Sequence, residues 1–235
     1  MSLAARYPGS NAKSSIFASA NRIQESLVAT AEKRALTWLA KRTPSKITPD
    51  VLTVIGFLSQ CGAGLCYALA RLNPDALLVG IACLALNWLG DSLDGTLARL
   101  RKQERPRYGF YVDHIADTIS ALFLMGGLAL SGYVHPGIAM GMLVAFLMLS
   151  IEAYLAAYSL GRFQLSYWKF GPTEIRILLA CGNVALLRHQ VVTLFGRRMP
   201  LFNLGGAIAI AGMALMLIAT TTRHTLTLYN EERIS

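Results

Sequence analysis

A chain of 235 residues that is 54% hydrophobic and 15% charged, with a mean hydropathy of +0.46, is too apolar for an ordinary water-soluble domain and has the composition of a multi-span membrane protein. Its net charge of +9 falls on short segments between apolar stretches, without interleaved aromatics, so the expected partners are membrane lipids with anionic headgroups, and no nucleic acid. Cys61, Cys66, Cys83 and Cys181 are scattered through apolar stretches without metal-ligand spacing and are read as free, buried, small hydrophobes.

The opening residues, MSLAARYPGSNAK, have neither a continuous apolar core nor a small-residue cleavage site, so a removable signal is not expected. From 14 to 42, Ile16, Ala20, Ile23, Leu27 and Ala31 recur at spacings of three and four, with Arg22, Lys33 and Arg34 among the polar positions. That pattern predicts an amphipathic helix lying on the bilayer surface or packed on the helices that follow, two readings that do not exclude each other. Thr43-Pro44-Ser45-Lys46 ends it. Windows of about 20 apolar residues then place spans at 52–71, 76–98, 110–131, 137–159, 174–195 and 202–222. The expected fold is all-α: a polytopic membrane bundle of six transmembrane helices preceded by an N-terminal amphipathic interfacial helix. Its divisions are an N-terminal segment at 1–47, a membrane domain at 48–223 and a tail at 224–235, and no internal repeat or second domain is visible. With six spans, 18 of the 22 Lys and Arg residues fall on one side, which the positive-inside tendency makes cytoplasmic. Arg71, Arg188, Arg197 and Arg198 either fall outside or are misassigned by these span limits.

Four carboxylates interrupt this apolar sequence. Asp91 and Asp94 stand three residues apart, and Asp113 and Asp117 four apart, so on helices each pair shares one face. Two such faces opposed make a four-carboxylate cage at the cytoplasmic ends of spans 2 and 3. An Asp at the bilayer centre costs about 2.5–3.5 kcal/mol, less near the interface, so the cluster calls for compensating positive charge. Hard oxygen donors without a His or Cys pattern select Mg²⁺, Mn²⁺ or Ca²⁺, with room for one ion or two. Gly95 and Ala98 beside the first pair, and Gly109 one turn before Asp113, strip the adjacent backbone of side chains; this makes room for a bulky ligand or lets helices pack closely. Arg99 can pair with phosphate or snorkel, and Arg101, Lys102, Arg105 and Arg107 form either a solvated basic loop or a phosphate clamp.

His114 lies about 100° around the helix from Asp113 and points either toward a bound acceptor or to a neighbouring helix. Gly171-Pro172-Thr173-Glu174-Ile175-Arg176 reads as a helix start, with Glu174 and Arg176 on different faces. Glu152, inside span 4, is expected to pair with a neighbouring helix. Intramembrane acids also mark ion pathways, so an ion-coupled membrane transporter is the alternative from another class. Clustering of all four acids at one mouth, without an inverted repeat, argues against it.

Asp91-x-x-Asp94-Gly95-x-x-Ala98-Arg99, nine residues, then Gly109-x-x-x-Asp113-x-x-x-Asp117 resembles the signature of the CDP-alcohol phosphotransferase family at all eight fixed positions. Pro49-Asp50-Val51-Leu52-Thr53 similarly resembles the family's Pro-Asn-x-x-Thr, with Asp50 in place of Asn. The resemblance implies a homodimeric transferase of phospholipid biosynthesis that moves a phosphoalcohol group from a CDP-linked donor to a hydroxyl acceptor and releases CMP. It implies one or two Mg²⁺ or Mn²⁺ ions on Asp91, Asp94, Asp113 and Asp117, and Asp117 as general base with His114 as its rival. Thr53, Gly95, Ala98, Arg99 and Gly109 would then surround the CDP moiety, and Glu174 and Arg176 the acceptor. CDP-diacylglycerol with a small polar alcohol is the expected pairing. CDP-choline or CDP-ethanolamine with diacylglycerol is the alternative, because His114 and Thr173-Glu174 resemble the aminoalcohol branch. The expected location is a bacterial inner membrane, with the active site on its cytoplasmic side.

Overall fold

The computed structural model describes residues 21–23, 29–164, 172–194 and 196–233. Proline sets most of the helix starts, since its fixed φ and missing N–H suit a first turn. Helix α1 is Ala29–Arg42; α2 is Pro49–Ala70, capped by the Thr48 hydroxyl accepting from the Val51 N–H. Next come α3 at Ala76–Leu100, α4 at Pro106–Leu130, α5 at Pro136–Leu160, α6 at Pro172–Arg188 and α7 at Leu201–Glu231. Helix α5 stops at Gly161, whose φ of 64° is the left-handed conformation that glycine adopts without penalty. Helix α3 ends in the same way on Lys102 at φ 56°, with the Gln103 and Lys102 N–H groups donating back to the Ala98 and Arg99 carbonyls.

The helices lie side by side in the order α6, α3, α2, α4, α5, α7, with α1 against α3. Glycine lets the central three approach. Gly90 of α3 meets the backbone of Gly56 and Leu52 on α2, and Gly127 of α4 meets the backbone of Gly64 on α2. Without a hydrophobic drive between helices in lipid, such close contacts carry much of the association. One buried cluster holds Tyr67, Leu77, Leu84, Leu124, Leu128 and Leu186; a second, at the end bearing the basic segments, joins Leu36 and Ala40 of α1 to Leu52, Leu93 and Leu97. Arg101 fastens the α1–α2 connection there by donating to the carbonyls of Ile47 (2.6 Å), Thr43 (3.0 Å) and Pro44 (2.9 Å). It is a structural clamp rather than part of a solvated loop.

Five described helices, α2, α3, α4, α5 and α7, are long and apolar enough to cross a membrane, and large apolar side chains such as Leu58, Leu65, Phe123, Leu155 and Leu215 are exposed on them. The chain reads accordingly as an integral membrane protein. The fifth expected span differs. Helix α6 has 17 residues, about 25 Å at 1.5 Å per residue, and the rest of 174–195 enters strand β3 (Val191–Leu194), paired antiparallel with β4 (Arg197–Pro200). In contrast α7 runs on to Glu231, past the expected end at 222 and through the start of the expected tail.

The N-terminal helix is also shorter than its apolar pattern. Residues 21–23 form strand β1 (Asn21–Ile23), pairing in parallel with β2 (Arg162–Gln164), so the helix does not run through them; 14–20 and 24–28 lie outside the described residues. Helix α1 packs against α3. Cys181 is exposed rather than buried, Cys66 is buried, and all four cysteines are free.

Candidate active site

Helices α3 and α4 both pack on α2, and their acidic faces converge over it. One cavity is lined by Thr53, Gly56 and Phe57 of α2, Asn87, Asp91 and Asp94 of α3, and Asp113, Ala116, Asp117 and Ser120 of α4. It encloses about 20 Å³, room for one particle the size of a water. All four sequence-predicted acids therefore reach a single space. Their spacing along each helix brings them there, because positions three and four apart lie one turn above another.

Each acid of α3 already has a partner from another helix. Arg176 of α6 donates Nη2 to Asp91 Oδ2 at 2.7 Å, and Thr53 of α2 donates its hydroxyl to Asp94 Oδ2 at 2.6 Å. A hydroxyl carries one proton, so that short contact takes precedence over the 3.2 Å approach of Thr53 Oγ1 to the Pro49 carbonyl. Asp94 is buried, and Asp117 lies in the field of Arg176 and the other three acids. The positive charge that the acids call for is thus supplied in part by Arg176.

Four carboxylates around a particle-sized space are the donor chemistry of a hard divalent cation. Among the described residues no group of three or more His, Cys, Asp or Glu side chains is gathered closely enough to hold an ion. The acids fit such an ion by chemistry and by shared access to the cavity, with Asp91 and Asp94 each engaged through Oδ2 by Arg176 and Thr53.

The remaining candidates sit around this centre. A Cβ at Gly95 would meet only the Arg99 guanidinium at 3.6 Å, and at Gly109 nothing within 4 Å, so neither glycine is needed for helix contact. With Ala98 and the exposed Arg99, which donates to Thr96 Oγ1 at 3.3 Å, they leave open ground at the basic ends of α3 and α4. A wider hollow of about 330 Å³ lies beside them, lined by Thr48, Pro49, Asp50, Gln103, Glu104 and Arg105, and carries neither acid pair. Asp50 is ion-paired there with Arg105, whose guanidinium lies 4.2 Å over the Tyr108 ring.

His114 is turned toward α5. It stacks on Phe110 at 4.1 Å between ring centroids and meets Tyr154 edge-on at 4.7 Å, and it is not among the side chains lining the acid cavity. Glu174 is buried at the start of α6, also outside that lining, while its neighbour Arg176 reaches Asp91. Glu152 pairs with α7 as expected, 2.5 Å from His224 Nδ1.

Sequence reasoning missed Asn87, Gly56 and Ser120. Asn87 stands one turn before Asp91 in an apolar run, a signal of the same kind as the acids; it is buried and donates to the Gly56 carbonyl at 3.0 Å. Glu32 was also missed: its Oε1 accepts from Trp88 Nε1 (2.8 Å), Ser92 Oγ (3.4 Å) and Thr173 Oγ1 (2.9 Å).

Compared with known proteins, residues 46–224 match the family model described as CDP-alcohol phosphatidyltransferase. The chain is also 35% identical over 120 residues to the archaetidylinositol phosphate synthase of Pyrococcus horikoshii, an alignment taking in 51% of this chain and 57% of that relative's length.

Proposed function

Since the chain belongs to the CDP-alcohol phosphatidyltransferase family, and is thereby a transferase of phospholipid synthesis, we propose that it moves the phospholipid moiety of a CDP-linked lipid onto a phosphorylated polyol and releases CMP. The single observation carrying this reading is that Asp91, Asp94, Asp113 and Asp117 line one cavity at the basic end of a membrane bundle. Family membership sets the transport alternative aside. A lipid donor of the CDP-diacylglycerol type is favoured over an aminoalcohol donor, because His114, which supported the latter, packs between Phe110 and Tyr154. An inositol phosphate is the acceptor to try first: the relative is named for a lipid-linked inositol phosphate, and Arg176 beside the acids suits an anionic acceptor.

The family is generally dependent on a divalent metal; Asp91, Asp94, Asp113 and Asp117 would hold it here, with Mg²⁺ or Mn²⁺ the candidates. When bound, such an ion neutralises the donor pyrophosphate and the charge that develops on the departing CMP. Asp117 takes the proton from the acceptor hydroxyl as that oxygen attacks the donor phosphorus. Thr53 keeps Asp94 oriented, and the open ground at Gly95, Ala98 and Gly109 admits the nucleotide, with Arg99 against its phosphates. Arg176 exchanges Asp91 for the acceptor's phosphate. Glu174, next to it, helps shape the acceptor side. The reaction takes place on the cytoplasmic side of a bacterial-type cell membrane, in a homodimer.

The test is CMP release by the purified protein in lipid nanodiscs with Mg²⁺ or Mn²⁺, offering CDP-diacylglycerol with inositol phosphate against CDP-choline or CDP-ethanolamine with diacylglycerol. Release with the first pair, lost in Asp113→Asn and in excess EDTA, is the expected result. Release with the second pair alone would overturn the substrate assignment, and undiminished release in EDTA would remove the metal.

A further inference from the structure

We infer that Glu32, on the N-terminal helix and outside the acid cavity, is a positioning residue that clasps the start of α6 to α3 so that Arg176 meets Asp91. One carboxylate oxygen gathers three donors from two helices. Trp88 Nε1 and Ser92 Oγ reach it from α3 at 2.8 and 3.4 Å, and Thr173 Oγ1 from α6 at 2.9 Å. Trp88 and Ser92 are four apart and share the face of α3 toward α1. Ser92 is also the immediate neighbour of Asp91. On α6, Thr173 and Arg176 are three apart on one face, and Arg176 donates to Asp91 Oδ2 at 2.7 Å.

The contacts close a ring: Glu32 to Ser92, along the chain to Asp91, across to Arg176, back one turn to Thr173, and to Glu32 again. Releasing Glu32 frees Thr173 and lets the start of α6 shift against α3, and the bond that shift disturbs is the one on Arg176. Residues 21–23 also pair along the backbone with 162–164, which follow the end of α5.

This inference rests on the acceptor role proposed for Arg176. Steady-state CMP release in nanodiscs, varying inositol phosphate and CDP-diacylglycerol separately, tests it with Glu32→Ala, Glu32→Gln and Thr173→Val. Losing hydrogen bonds to a charged group should raise the acceptor KM about tenfold in Glu32→Ala, with the donor KM little changed. Glu32→Gln, which keeps a carbonyl oxygen at the same place, should recover most of the loss. Equal impairment of the Ala and Gln variants, or a matching rise in the donor KM, would overturn the assignment. Thermal unfolding supplies a readout free of activity: Glu32→Ala and Thr173→Val remove the same bond, so their Tm shifts should not add, and additive shifts would overturn the clasp. If the wild type releases no CMP with any acceptor, the functional reading falls, and the Tm cycle decides the clasp alone.

Discussion

Adding one methyl group at Gly90 should push apart the helices that hold the acids in register. A Cβ there lies 2.6 Å from both the Gly56 nitrogen and the Leu52 carbonyl oxygen, and 2.7 Å from Gly56 Cα. Ordinary contact needs about 3.5 Å, and all three neighbours are backbone of α2, so none can rotate away. The helices must separate locally by about 1 Å to restore van der Waals contact. Overpacking of this kind costs about 1–3 kcal/mol, of which better helix propensity returns about 1 kcal/mol. Activity should suffer more than stability. Asp91 and Asp94 follow Gly90 on α3, the Thr53 to Asp94 bond spans the same two helices, and a 1 Å misplacement of reacting groups costs about 10²-fold. The expected result is a fall of about 10²-fold in kcat/KM for CMP release in nanodiscs, with a modest drop in Tm. Gly109→Ala is the contrasting variant: nothing lies within 4 Å of its Cβ, so Tm should hold while the donor KM rises. A Gly90→Ala protein with the wild-type kcat/KM would refute the claim that this backbone contact sets the acids.

Asp117→Asn should slow single-turnover CMP release by about 10²–10⁴-fold, the usual worth of a general base. His114→Ala should keep the chemical step, with the loss of its aromatic contacts costing about 0.5–1.5 kcal/mol of stability; normal chemistry in Asp117→Asn would move the base elsewhere. Arg176→Ala should raise the acceptor KM about 10- to 100-fold, from the loss of bonds to a charged group, and a rise confined to the donor KM would reassign this arginine to the nucleotide. His224→Leu leaves the mostly buried Glu152 carboxylate unpaired and should cost about 3 kcal/mol. Glu152→Leu added to it should recover most of that loss in thermal unfolding, and a further drop in Tm would show that each side chain is held by something else.

The acids were legible because a carboxylate in an apolar run is expensive and helical spacing fixes which of them share a face. The end of α6 was not, because a hydropathy window counts Val191, Val192 and Leu194 as apolar whether they continue a helix or form a strand. What separates the cases is the Gly196 turn at φ 77°, which folds β3 back onto β4. Glu32 had no local signal either. Among the basic and acidic residues of α1 it looks like any polar-face charge, and its partner Thr173 lies 141 residues away. Arg176 carried a signal, as an arginine at a helix start beside a predicted site, but its partner Asp91 was not legible.

The glycines show where residue type alone runs out. Gly56, Gly64, Gly90 and Gly127 meet neighbouring backbone so closely that a Cβ would force a shift, whereas Gly95 has only the flexible end of Arg99 nearby and Gly109 has open space. In sequence all six are small residues in or near membrane helices, and close packing is the plain expectation for each. Only the three-dimensional neighbours divide them into two sets. The first brings α2, α3 and α4 together and so opposes the two acidic faces. The second gains no packing from lacking a side chain, and sits at the basic helix ends beside the acids. Space kept clear at no structural benefit, next to a cluster of carboxylates, is ground for a ligand, and that is why a methyl group at Gly90 and one at Gly109 should fail in different ways.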